Sequence, residues 1–288
     1  MPRGGRADGV ARLEGGSLVR LVHVDDEPVV VRVCQKRGGE VLFRAGGGSV
    51  AQREQAIERM RFALGVDDDY TEFHREFAND PLIGPALRRR PWLRPKKRPF
   101  AWEALAWAVT EQLIESSRAA EIQRLMVRRW GRTIEGWSGP GKLRDVPTAA
   151  VIGGLSAPQL QACDISAGRS LALIRCAKEI VAGRVDPADA GGDARLIKIR
   201  EIGPWTLQCL GLFGRGDPDS LPAGDLAYVK LVGVAAGLGR RAMVPEIEEF
   251  YARYAPFRGL AGLFSLGAAV HLSAAARGLP LSPDALAA

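Results

Sequence analysis

Cysteine is scarce in this chain and never paired. The four residues Cys34, Cys163, Cys176 and Cys209 stand apart without any C-x-x-C spacing, which excludes a zinc site or an iron–sulfur ligand run and predicts reduced thiols in a cytosol. No window holds 18 consecutive apolar residues, so no membrane span is expected. Met1 to Gly16 carries Arg3 and Arg6 but no apolar core, so no secretory signal peptide is expected and the predicted location is cytoplasmic. His23, His74 and His271 are isolated and read as ordinary surface or core residues. No internal repeat or low-complexity tract interrupts the chain. What it does have is apolar and basic. Hydrophobic residues make up 47% of 288, enough for two domains, or one with an appended subdomain, each with its own core. Forty Lys and Arg against 33 Asp and Glu give a net charge of +7, which favours an anionic partner without naming one.

Residues 17–44 read as strands: Leu18 to Val24, the turn cluster Asp25-Asp26-Glu27-Pro28, Val29 to Cys34, the turn Lys36-Arg37-Gly38-Gly39, then Val41-Leu42-Phe43. Gly46-Gly47-Gly48-Ser49 reads as a hinge, and the periodicity beyond it is helical. Leu105, Ala108, Val109 and Gln112 share one face of a helix opening near Ala101. Ile122, Met126 and Trp130 mark the next, with Ser116 or Ser117 as its cap and Gly131 at its end. Leu173, Cys176, Ala177 and Ile180 mark another, which stops at Gly183. Further helices are expected from Pro204 to about Phe213, and over 225–236, 245–254 and 258–277. The expected fold class is mainly α (α+β): a small antiparallel β subdomain over residues 1–48 in front of an all-helical body over 49–288.

Three local features carry chemistry. Arg88 to Arg98 holds seven cations in eleven residues; it reads equally as a solvated, proline-stiffened loop or as a phosphate-contacting strap. In Glu201-Ile202-Gly203-Pro204-Trp205-Thr206, a Gly turn opens a helix through Pro204. The first N–H groups of that helix are left free, and a phosphate can approach Gly203 without meeting a Cβ. Such a contact reads the DNA backbone rather than its sequence. Twenty residues after Trp205 comes Asp225, in Leu221-Pro222-Ala223-Gly224-Asp225-Leu226. By residue type Asp225 is an N-cap, Trp205 and Leu113 are core residues, and Gln112 is a polar group on an apolar face that needs a partner.

Together these features resemble the helix-hairpin-helix DNA glycosylases, specifically the bacterial 3-methyladenine DNA glycosylase II branch. The resemblance runs from about Asp80 to Gly267. It is carried, in order, by Arg90-Pro91-Trp92-Leu93-Arg94-Pro95, by Glu111-Gln112-Leu113-Ile114, by the hairpin Leu196 to Thr206, by Asp217 to Asp225, and by Tyr254-Ala255-Pro256-Phe257-Arg258-Gly259-Leu260-Ala261. The last is similar to the family's Trp-x-Pro-Trp-Arg-Ser segment. Any one block is unspecific, whereas the five in order are not. The resemblance implies that Asp225 is the catalytic carboxylate and Trp205 the aromatic on which a flipped base stacks. Trp205 also stands where lyases of the superfamily place a nucleophilic Lys, so simple hydrolysis is expected. Leu113 corresponds to the wedge that enters the duplex, and Gly203, Pro204, Thr206 and Arg258 to DNA contacts. Gln112 is either a pocket wall or a structural hydrogen-bonding group. The carbonyls of Ile197, Ile199 and Ile202 match those that hold a Na+ or K+ ion in the family, and no other cofactor is expected.

The implied activity is base excision from double-stranded DNA by a monomer. An N-alkylated purine is already cationic and leaves without an acid, and no general acid is evident here, so cationic alkylated purines are the expected substrates. The chain departs from the pattern at several positions. Glu201 replaces the first hairpin glycine, while Cys209 and Leu266 replace aromatic pocket walls and Gly259 replaces a serine. These departures leave a rival reading open, a lesion-binding module of the same fold without turnover.

Overall fold

The computed structural model describes residues 10–134 and 142–275, with side chains to residue 267. The expectations for Arg3 and Arg6, for the last helix at 276–277 and for the His271 side chain lie outside these residues.

Four strands form an antiparallel meander in chain order: β1 (Ala11–Glu14), β2 (Ser17–Val24), β3 (Glu27–Gln35) and β4 (Val41–Gly46). β1 was not expected; its four residues lack the β-branched signature of a strand. Asp25 and Asp26 both sit at positive φ, 49° and 64°. The turn is therefore a two-residue hairpin loop of the type Asp tolerates, and Glu27 and Pro28 belong to β3, with Pro28 opposite His23. Val22, Val24, Val29, Val31 and Val33 pack on Ala56 and Met60 of α1 (Val50–Leu64). The opposite face of β2 buries Val19 and Leu21 against Leu143. Ser49 and Gln52 close a capping box at the start of α1, so the glycine-rich hinge ends in a built helix start.

Twelve more helices follow. They are α2 (Thr71–Phe77), α3 (Gly84–Arg89), α4 (Ala101–Glu111), α5 (Ser116–Trp130), α6 (Ala149–Gly153), α7 (Ala157–Gln161), α8 (Ala167–Val181), α9 (Asp193–Leu196), α10 (Pro204–Cys209), α11 (Leu226–Ala235), α12 (Val244–Ala252) and α13 (Arg258–Ala275). Ser116 is the first helical residue of α5 rather than its cap; that place belongs to Glu115, which makes no capping bond with its side chain. α10 runs on as a wider π-helical segment, Leu210–Arg215. Gly214 lies in that segment against α4, where an added Cβ would come within 2.9 Å of Ala104 Cβ.

The helices enclose two apolar cores. One is built from α4, α5, α6, α8 and the hairpin, around Leu105, Met126, Leu173, Leu196 and Leu210. The other gathers Phe73, Ile83, Leu87, Leu231, Tyr251 and Phe264 from α2, α3, α11, α12 and α13. The chain crosses from the first lobe to the second between Arg215 and Leu221.

Charges buried at the seam hold the sheet to the helical body. Arg20 of β2 pairs with Glu103 of α4, whose side chain has no exposed surface, and Arg98 reaches the same carboxylate at 3.4 Å. His23 bonds Asp145 through its main-chain N–H at 3.1 Å and through Nδ1 at 3.0 Å. The basic run 88–98 is tied to the protein at several points. Arg88, Arg89, Arg90 and Arg94 donate to the carbonyls of Ala78, Pro85, Gly267 and Pro91. Lys97 is buried against Asp68 with its ammonium 4.5 Å from the Phe62 ring. The run is thus neither wholly solvated nor free: several of its cations secure the path between α3 and α4, while Arg88, Arg89 and Lys96 keep exposed surface.

Removing one partner of a buried ion pair leaves an uncompensated charge and costs about 3–5 kcal/mol. Glu103→Ala is therefore expected to lower unfolding stability by about that much in chemical denaturation. A loss under about 1 kcal/mol, the usual worth of an exposed pair, would show that the seam does not depend on Glu103.

Candidate nucleic-acid interface and base site

The hairpin is built by α9, the turn Ile197–Gly203 and α10. Ile202 N–H bonds Ile199 O at 2.9 Å, which closes the turn. Glu201 stands at φ 74°, the left-handed conformation that glycine adopts without strain. Gly203 faces open space, since a Cβ there would meet nothing within 4 Å. Among the described residues, no main-chain carbonyl takes the N–H groups of Gly203 or Trp205, so both point a donor outward. Pro204 occupies the first helical position, where its missing N–H is no loss.

Thr206, expected at the DNA, is buried instead at 1% exposure. Its N–H bonds Gly203 O at 3.1 Å, and its hydroxyl accepts Gln112 Nε2 at 2.9 Å. The correction has a simple cause. Thr206 lies on the inner face of α10, and its hydroxyl is the partner that the polar Gln112 needs. Gln112 also donates to Glu201 O at 2.7 Å, so one amide ties the end of α4 to both sides of the hairpin turn.

Leu113 follows at φ 56° with a relative exposure of 102%. A leucine that is both left-handed and wholly in water is rare, and the structure places this one on the same loop as the Gln112 tie.

Trp205 and Asp225 approach each other through Gly224. Trp205 is half-buried, and a Cβ on Gly224 would lie 3.6 Å from its Cβ and Cδ1, an ordinary packing distance. The indole thus packs against the chain one residue before Asp225. Asp225 caps α11, its Oδ1 accepting Ala227 N–H at 2.8 Å. Its Oδ2 has no hydrogen-bond partner among the described residues. Cys209 is buried below. Burial pushes its thiol well above the usual range, and the carboxylates of Glu111 and Asp225 add to the effect, so it stays neutral. Tyr228, one turn along α11, is raised by burial first, then by Tyr251 and Asp225. Tyr228 was not read from the sequence, although the signal was there three residues after Asp225; Glu111 was read only as part of the block Glu111-Gln112-Leu113-Ile114, with no role assigned to it.

Leu266 lies partly exposed on the second core, the one containing Tyr228. Arg258 is held elsewhere. It forks onto Asp219, its Nε 2.8 Å from Oδ1, while its N–H bonds the same oxygen at 3.0 Å to start α13. It lines a cleft of about 400 Å3 that also carries Asp217 and Glu248. A Cβ on Gly259 would collide with the carbonyl of Ser220, which accounts for the absent serine. Among the described residues no cluster of His, Cys, Asp and Glu could hold a metal ion. No helix among them is long and apolar enough to cross a membrane.

Two outcomes follow from this geometry. Asn tolerates the left-handed region and removes the exposed apolar surface. Leu113→Asn is therefore expected to leave thermal stability unchanged or raise it by up to about 1 kcal/mol, and a clear fall in Tm would show that Leu113 packs in the free protein. The hydrogen bonds from Arg258 hold the Asp219 carboxyl below its usual range. The pair therefore stabilises the fold above the ordinary aspartate value of about 4, and loses that effect as pH falls through the depressed folded value. Asp219→Asn should be less stable than the wild type at neutral pH, with the gap closing in acid. A gap constant across pH would remove the ion pair as its source.

No protein-family model matches the chain. Its sequence is similar to that of the DNA-3-methyladenine glycosylase of Bacillus subtilis, with 25% identity over 247 residues, 82% of this chain and 81% of that protein. It is also similar to a probable bifunctional transcriptional activator/DNA repair enzyme AlkA of Mycobacterium tuberculosis, 26% identical over 218 residues, 72% of this chain and 41% of that one. Among solved structures, the 3-methyladenine DNA-glycosylase from Archaeoglobus fulgidus superposes with a TM-score of 0.77 at 20% identity, covering 89% of this chain and 88% of its own. The apo-form of Clostridium acetobutylicum 8-oxoguanine glycosylase/lyase gives 0.70 at 17%, over 91% and 88%. The chain has the fold of the solved DNA glycosylases, and its sequence is similar to that of DNA-3-methyladenine glycosylase.

Proposed function

We propose that this protein is a monofunctional DNA glycosylase that hydrolyses the N-glycosidic bond of cationic alkylated purines, such as 3-methyladenine, in duplex DNA. The observation that carries this reading is that Asp225, at the mouth of α11 with Oδ2 unengaged among the described residues, directly follows Gly224, against which Trp205 packs. Leu113 supports it: an apolar side chain standing clear of the surface can fill the stack a flipped base vacates. The outward N–H groups of Gly203 and Trp205 would receive a phosphate. Arg258 contributes a DNA contact only by exchanging Asp219 for a phosphate.

In the flipped state the electron-rich indole of Trp205 faces a cationic base, and stacking of this kind is worth about 1–3 kcal/mol. Extrusion costs a few kcal/mol, so stacking and wedging together offset it and neither is dispensable. Positive charge then develops on the sugar. A carboxylate about 4 Å away at an effective dielectric near 20 stabilises it by roughly 4 kcal/mol, about a thousandfold in rate. Asp225 can also orient or deprotonate the attacking water through Oδ2. Trp205 offers no amine, and the buried neutral thiol of Cys209 offers no nucleophile, so the reading is hydrolysis without a covalent intermediate. Every residue it uses comes from one chain.

A monovalent cation would be held by the carbonyls of Ile197, Ile199 and Ile202. Among the described residues, no main-chain N–H bonds the carbonyls of Ile197 or Ile202, whereas that of Ile199 accepts Ile202 N–H and has one lone pair left for an ion. Bound there, it would add positive charge beside the phosphate.

Asn caps a helix about as well as Asp but carries no charge. Asp225→Asn is expected to keep its stability and DNA binding while releasing 3-methyladenine from methylated duplex about a thousandfold more slowly. No release by the wild type despite tight binding would favour the lesion-binding module instead.

A further inference from the structure

Leu113 combines two unfavourable states, a left-handed backbone and a fully exposed apolar side chain. Such a geometry persists only where the surroundings over-determine it. Here they do so through Arg169, in the first turn of α8. Its Nη1 donates to the carbonyls of Thr110 at 3.0 Å and Gln112 at 3.1 Å. Those carbonyls close α4 and lack helical partners of their own, and a cation suits that negative helix end. The arginine is held in turn, its Nε donating to Ser166 Oγ at 3.1 Å.

Glu201 completes the arrangement from the hairpin side. Its carboxylate lies over the start of α8, where a Cβ on Gly168 would come within 2.9 Å of its Oε1. Its nearest cation is Arg200 at 3.6 Å; the Arg169 guanidinium, disfavoured first by burial and then by Arg118, is favoured by Asp164 and by the more distant Glu201. The Glu201 carbonyl meanwhile accepts Gln112 Nε2. A single residue in a left-handed conformation thus belongs to the hairpin turn, bonds the Leu113 loop through its carbonyl, and lies beside the start of α8 that carries Arg169.

We propose that Arg169 is a positioning residue that holds Leu113 in its projecting geometry, and that Glu201, standing where this hairpin usually has glycine, couples that anchor to the turn facing the phosphates. This rests on the reading of Leu113 as the wedge. A phosphate docking at Gly203 and a wedge entering the duplex would then be linked through one arginine.

The test uses the full chain carrying Asp225→Asn, so that no chemistry intervenes, and a duplex with 2-aminopurine beside an abasic-site analogue. Arg169→Ala is expected to weaken base unstacking by about ten- to a hundredfold, the range for lost charged hydrogen bonds, without changing affinity for undamaged duplex. Arg169→Lys should restore part of it. A purely structural role would lower Tm and DNA binding together and would not separate unstacking from binding. Glu201→Gly relieves the left-handed strain, so its Tm should equal or exceed that of the parent while unstacking still falls. This variant decides the matter if Arg169→Ala does not fold. Unstacking equal to the parent in both variants would overturn the proposal. If the parent itself unstacks nothing, the wedge reading fails, and amide exchange at residues 112–117 of the free protein then tests the anchor alone. Exchange about tenfold faster in Arg169→Ala supports it, and unchanged exchange overturns it.

Discussion

The side-chain amide of Gln112 is the joint on which the site depends. Two hydrogen bonds from one nitrogen, to Glu201 O and Thr206 Oγ1, fix the end of α4 against the hairpin. The partner hydroxyl at Thr206 is itself buried, and a buried hydroxyl without a partner is costly, so the bonds also favour this residue of α10 facing inward. That choice buries Thr206, turns Trp205 toward Gly224 and leaves Gly203 facing solvent. The second lobe then needs only to deliver Asp225 at the mouth of α11, which its own capping bond does.

Much of this was legible from the sequence because it is local. The valine-rich strands, the glycine and proline of the hairpin, and Asp225 at a helix start are each written within a few neighbouring residues. β1 escaped because four residues without a β-branched side chain carry too weak a pattern. The basic run showed its charge but not its direction, since whether Arg90 meets a phosphate or the carbonyl of Gly267 depends on chain 177 residues away. Thr206 misled for the same reason: its inward face is set by Gln112, 94 residues earlier. Arg169 gave no signal, because an arginine in the first turn of a helix is ordinary until the end of α4 is seen to lie beneath it.

The wall of the pocket also reads differently in three dimensions. Cys209 looks in sequence like a missing aromatic. In the fold it is a small, buried group whose thiol is kept neutral by burial, with the carboxylates of Glu111 and Asp225 adding to the effect.

The wide turn after Cys209 has a further consequence. From Leu210 to Arg215 the helix is wound more loosely than an α-helix, and it is pressed onto α4 at Gly214, where only hydrogen fits against Ala104. Each residue of an α-helix advances the side chains by about 100°, so the point where the winding changes sets the azimuth of everything before it. The direction of the Trp205 indole, set at one end by the bond from Gln112 to Thr206, is thus held at the other by a glycine nine residues downstream that takes no part in chemistry, much as a string is fixed at both nut and bridge.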